Sequence, residues 1–156
     1  MIESSLTIRR MAAMDSDALA DTFADWHKPL SQFENYYLEQ LLEKRLVLVA
    51  LLGEIAVGYT TLVWESPYTH FWRRRVPEIV DLNVWPTYQR QGIGTALIAR
   101  CEQEALTRGH IYLGISVVQT DDYAKAERLY RALTYEPDGF GVTPEDNELH
   151  LVKKLG

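Results

Sequence analysis

One stretch of this chain carries most of its legible chemistry: Glu78-Ile79-Val80-Asp81-Leu82-Asn83-Val84-Trp85-Pro86-Thr87-Tyr88-Gln89-Arg90-Gln91-Gly92-Ile93-Gly94-Thr95-Ala96-Leu97. An apolar strand runs to Pro86, which cannot donate to a ladder. A polar, glycine-containing turn then opens directly onto a helix. The first amides of a helix have no partner inside it and sit at the positive end of its dipole. Gly92 and Gly94 remove the side chains that would block approach to those amides. Such a turn suits a phosphate or pyrophosphate. It is not a Walker loop, because no Gly-Lys-Ser/Thr follows. It is not a Rossmann fingerprint either, because Leu97 stands where the third glycine would be. The glycines alone fit an ordinary flexible helix start just as well.

Two carboxylates enter through the same strand. Glu78 or Asp81, if partly desolvated, would have a raised pKa and could accept a proton. Either could instead bind a cationic substrate without moving protons. On a regular strand the two face opposite sides, so only a bulge would let both reach one site.

The elements around this stretch alternate. Leu6–Arg9 reads as a strand, and Asp15 or Ser16 as the cap of a short helix. Ser31-Gln32-Phe33-Glu34 has the form of a capping box, with Tyr37, Leu38, Leu41 and Leu42 on one face of the helix behind it. Arg45–Leu52 and Ile55–Val63 form a hairpin turned by Gly53-Glu54. Residues 65–77 read as a loop. Residues 95–108 form the clearest helix, burying Leu97, Ile98, Cys101 and Ala105, and Gly109 stops it. A strand at 111–118, a helix at 122–133 and a hairpin of 140–142 with 149–155 complete the chain. The order β-α-α-β-β-β-α-β-α-β-β defines an α/β or α+β domain with one right-handed parallel crossover.

Gln89-Arg90-Gln91-Gly92-Ile93-Gly94 resembles the hallmark Gln/Arg-x-x-Gly-x-Gly/Ala of the GNAT superfamily of acetyl-CoA-dependent N-acetyltransferases. Leu82–Pro86 matches the strand end that precedes it. Ala126-Glu127-Arg128-Leu129-Tyr130 matches the family's Ala-x-x-Leu-Tyr block, and the resemblance covers nearly the whole chain. It implies a mixed, mostly antiparallel sheet of six or seven strands. The fourth and fifth strands would be a splayed parallel pair, with about four helices. It implies that the amides of Gln89, Arg90, Gln91, Gly92, Ile93, Gly94 and Thr95 hold the pyrophosphate of coenzyme A. Leu82, Asn83 and Val84 would pair with the pantetheine arm as an added strand would. The Val84 amide would polarise the thioester carbonyl.

The same resemblance places the Tyr130 hydroxyl near the CoA sulfur as acid or thiolate stabiliser. Glu78 aligns with a glutamate that serves as base in some members, with Asp81 as the alternative. Lys125 and Arg128 share a helix face and are candidates for the ribose phosphate. Tyr123 stands where the family often has Asn, which leaves that pantetheine contact open. Trp26, His27, Phe33, Tyr36 and Tyr37 fall in the segment that roofs the acceptor pocket in the family, and helix packing explains them equally well. The implied reaction is direct acetyl transfer to a primary amine of a small molecule or peptide. A binding module of the same fold that senses CoA without turnover is the alternative.

Composition bounds the remainder. The 156 residues fit one domain spanning 1–156. Cys101 is the only cysteine, which excludes a disulfide scaffold and fits a reducing cytoplasm. Met1–Ser5 shows no basic-then-apolar leader. The longest apolar run, Leu46–Leu52, is too short to cross a bilayer. The four histidines show no ligand spacing, so no metal is expected. A net charge of −6 argues against nonspecific nucleic-acid binding. Arg73-Arg74-Arg75 reads as a solvated face. Dimers are common in the family, often through the last two strands, so a homodimer stays open.

Overall fold

The computed structural model describes residues 5–156; Met1–Ser4, most of the segment read above for a leader, lie outside the described residues. Seven strands, β1 (Leu6–Arg10), β2 (Arg45–Leu52), β3 (Ile55–Val63), β4 (Glu78–Val84), β5 (Tyr112–Val118), β6 (Glu136–Thr143) and β7 (Glu148–Lys154), form one sheet in the order β1-β2-β3-β4-β5-β7-β6. Five α-helices accompany them: α1 (Asp15–Thr22), α2 (Leu30–Leu41), α3 (Thr69–Arg74), α4 (Ile93–Thr107) and α5 (Ala124–Ala132). The chain packs as two compact units, and both β4 and α4 contribute residues to each.

The first unit comprises the chain up to Val63 together with Asp81–Cys101. β1, β2 and β3 pair in antiparallel fashion, with a bulge between Ala50 and Leu51. The continuous apolar run of β2 is buried from Leu46 to Leu51, as a strand covered on both faces requires. Leu19 and Phe23 from the α1 segment and Phe33 from α2 close over Val47, Val49 and Tyr59.

The second unit comprises Trp64–Val80 and Glu102–Gly156. Here β5 runs antiparallel to β7, with Ser116 opposite His150, and β7 pairs with β6. β4 and β5 pair in parallel through Glu78–Gly114 and Ile79–Ile115.

Three local expectations are corrected. The segment read as a loop contains α3, which buries Phe71 and exposes Arg73, Arg74 and Arg75. Ser31 does not cap α2: the helix begins one residue earlier behind Pro29, with no side-chain cap. Asp15 does not cap α1 but lies in its first turn, where Arg9 grips it with two hydrogen bonds of 2.7 and 3.0 Å and the Ala12 amide adds a third at 2.7 Å. The apolar face read on α2 is largely exposed. Leu38, Leu41 and Leu42 are 54%, 61% and 57% exposed, whereas Phe33 is fully buried. An apolar spacing identifies a stripe but not which of two neighbouring stripes meets the core.

Gly58 leaves no room for a side chain. A Cβ there would lie 2.9 Å from the Asn83 carbonyl oxygen, a backbone atom that cannot swing away. Gly58→Ala should destabilise the protein by about 1–3 kcal/mol through overpacking. Denaturant unfolding checks this, with parental stability as the contrary result.

Candidate functional site

In the first unit, β4 leads through a 3₁₀ turn (Pro86–Tyr88) to the start of α4. The first intrahelical bond of α4 runs from the Ala96 amide to the Gly92 carbonyl at 3.0 Å. The amides of Ile93, Gly94 and Thr95 therefore precede the ladder and have no acceptor inside the helix. Gly92 has φ +82°, the left-handed region, and a Cβ there would meet nothing within 4 Å. Conformation rather than crowding thus selects glycine, and the turn stays open to an incoming anion. Arg90 is also left-handed, at φ +65°, and the buried Ile93 fixes the helix start to the core. The Gln89 side chain donates to the Val84 carbonyl at 2.8 Å and ties the turn to the strand end.

The Trp85 amide donates to the Val57 carbonyl at 2.9 Å. Successive amides of an extended chain point to opposite edges. The Val84 N–H therefore points away from β3, where a ligand strand could receive it. These residues fit a pyrophosphate and its extended arm through backbone donors.

Asp81 lies at φ +63°, inside β4, so the regular alternation of the strand breaks at this residue. Its carboxylate accepts from Lys28 Nζ at 3.1 Å, Tyr36 at 2.9 Å, Tyr59 at 2.7 Å and Asn83 Nδ2 at 2.7 Å, with Gln32 at 3.5 Å. Burial and the neighbouring Asp81 charge push the Tyr36 and Tyr59 phenols up, so both remain donors. Asp81 thus orders two aromatic side chains and one ammonium. Of the aromatics read as a pocket roof, Phe33 is core, and Tyr36 is held to Asp81.

In the second unit, Glu78 is only 5% exposed. Ser66 donates to it at 2.5 Å while accepting the Tyr68 amide at 3.0 Å, and Ser116 adds a second donor. Desolvation outweighs these bonds and raises its pKa. Glu78 lines a cavity of about 280 Å³ together with Tyr68, Glu145, Asp146, Glu148 and His150. Asp146 accepts from Thr143 and interacts with Glu148. Burial, and then Asp146, push the Glu148 carboxyl up to about 7. Tyr130 is 7% exposed, and burial pushes its phenol up to about 12, so it stays protonated at neutral pH. Tyr123 and Lys125 lie at or near the start of α5, both exposed.

Glu148 and His150 escape a motif search, because they belong to no motif. Their signal is weaker: two polar residues at i and i+2 in Glu148-Leu149-His150-Leu151 share one face of an otherwise apolar strand. Among the described residues, no group of three or more His, Cys, Asp or Glu could hold a metal ion. No helix among them is long and apolar enough to cross a membrane.

The sequence model of the Acetyltransferase (GNAT) family matches residues 11–135, and the chain belongs to that family. It is thus an acyltransferase of the acetyl-CoA-dependent class. Solved structures share the fold at low identity. An N-acetyltransferase from Staphylococcus aureus Mu50 superposes with a TM-score of 0.77 at 16% identity, covering 98% of this chain and 100% of its own. PaiA N-acetyltransferase from Thermoplasma acidophilum, in complex with coenzyme A, gives 0.74 at 16%, covering 96% and 99%. Ribosomal-protein-alanine N-acetyltransferase from Brucella melitensis gives 0.75 at 22%, covering 96% and 99%. No curated protein sequence matches the chain significantly.

The Glu148 carboxyl ionises near pH 7 when folded and near its ordinary 4.5 when unfolded, so the native state loses stability as pH climbs through that window. Glu148→Gln removes the penalty and keeps a donor for Asp146. Its melting temperature should exceed that of the parent by about 1–3 °C at pH 8, an increment kept small by solvent screening, and converge with it near pH 4. Melting curves across pH check this; an equal increment at both ends would sink the titration argument.

Proposed function

We propose that this protein moves an acetyl group from acetyl-CoA to a primary amine of a small molecule or peptide. The observation that carries the reading is the open, left-handed Gly92 at the N-terminus of α4, with the Ile93–Thr95 amides ahead of the helix ladder. The backbone of Gln89–Thr95 holds the pyrophosphate, with Lys125 toward the ribose phosphate. The edge of Leu82, Asn83 and Val84 that faces away from β3 pairs with the pantetheine arm, and Tyr123 flanks it. The thioester supplies an electrophilic carbonyl carbon, and the Val84 N–H polarises its oxygen. Glu78, made more basic by burial, takes in its ionised form the proton that the ammonium must shed before its nitrogen attacks. The new C–N bond forms as the C–S bond breaks, and the Tyr130 hydroxyl delivers a proton to the departing sulfur. The balance is ammonium plus thioester giving amide, free thiol and one proton.

The family match spans residues from both units, which supports treating 1–156 as one acetyltransferase domain. A homodimer through β6 and β7 belongs to the same reading, supported by Phe140 and Val142, exposed on β6. The single, buried Cys101 supports a reducing cytoplasm.

Tyr130→Phe should lower kcat by about 100-fold or more while KM for acetyl-CoA stays near parental. Thiol release from acetyl-CoA with a panel of amines measures it, and full activity in this variant would remove Tyr130 from the acid role. Gly92→Val should weaken CoA binding by about tenfold or more, because a β-branched residue resists φ +82°. Calorimetric titration with CoA tests this; parental affinity would refute the anion turn. Tight CoA binding without turnover on any amine would favour the sensor reading.

A further inference from the structure

The cavity of the second unit is built for one kind of ligand. Four of its lining side chains are carboxylic acids, Glu78, Glu145, Asp146 and Glu148, and no Lys or Arg is among the residues that line it. His150 lines it too, 3% exposed, and its Nδ1 has no hydrogen-bond partner. Its ring is locked face to face on Tyr68, 3.5 Å between centroids and 8° between planes, with Phe71 edge-on behind at 5.4 Å. The imidazole therefore cannot turn away to find a donor. A buried polar nitrogen left unsatisfied is costly, and in the tautomer that carries its proton on Nε2 a ligand N–H would relieve it.

The carboxylates do not converge as metal ligands do. A volume of about 280 Å³ lies just below the range of drug-sized ligand pockets, roughly 300 to 1,000 Å³, and so suits a smaller molecule. Asp146 and Glu148, which interact with each other, sit on the β6–β7 turn and the start of β7, whereas Glu78 enters from β4. One small ligand spanning these elements needs more than one ammonium group.

We infer that this cavity binds a short aliphatic amine carrying a second cationic group, with one ammonium at Glu78 and His150 and the other among Glu145, Asp146 and Glu148. On the acetyl-transfer reading, which this inference rests on for its catalytic consequence, that amine is the acceptor.

The test compares 1,4-diaminobutane with 1-aminobutane, by thiol release from acetyl-CoA and by calorimetry on CoA-free protein. The diamine should show a kcat/KM about tenfold or more above the monoamine, as expected of charge-assisted hydrogen bonds. Glu148→Gln and Glu145→Gln should each shrink that ratio severalfold, and Glu54→Gln, on the exposed β2–β3 turn, should leave it at the parental value. Thermal melts verify that each variant folds. Transfer without diamine preference, or a preference that neither cavity variant reduces, overturns the inference and leaves acetyl transfer standing. Calorimetric diamine binding that Glu148→Gln weakens, with no transfer to any amine, supports the cavity assignment and overturns the acetyl-transfer reading instead. No calorimetric binding of diamine overturns the inference outright.

Discussion

A carboxylate withdrawn from water needs donors in place of its hydration, and β4 carries two carboxylates that are supplied differently. Asp81 receives an ammonium, two phenols and an amide, which together replace its hydration. Glu78 receives two hydroxyls and no cation, so desolvation wins and its pKa rises. The two residues are three apart in sequence and differ in what surrounds them. Asp81 organises its surroundings through its hydrogen bonds. Glu78 has a raised pKa, the property the proposed proton-accepting role draws on.

The left-handed backbone at Asp81 belongs to the same constraint. Asp is one of the few residues that enters this region at modest strain. Four close hydrogen bonds hold it there, and the side chains of Lys28, Tyr36 and Tyr59 are in turn ordered around it. The strand resumes extended geometry by Trp85, whose amide engages β3 and so leaves that of Val84 on the other edge.

Charge accounting looks different at this level. A net charge of −6 does not oppose binding of an anionic cofactor, because the inferred site uses helix-terminal amides, whose field is local. The acidic surplus is concentrated elsewhere, in part around a cavity where Glu148 is held with a pKa of about 7 at the expense of stability above that pH. Like-charge crowding of this kind is what a cationic ligand relieves.

The sequence by itself determined the fold class through strand and helix periodicity, and it located the glycine turn between a ladder-ending proline and a helix start. The family was legible through the resemblance of Gln89–Gly94 and Ala126–Tyr130 to known motifs. The sequence also named Glu78 and Asp81 as the two carboxylates of interest and identified a bulge as the condition on their relation. Only the tertiary structure decided their surroundings, because burial and hydrogen-bond partners come from residues as distant in sequence as Lys28 and Ser66. The same holds for the face of α2 that meets the core, for α3 within the apparent loop, and for His150 and Glu148. Their surroundings come from neighbours outside their own strand, and spacing along one chain carries no record of what packs across it.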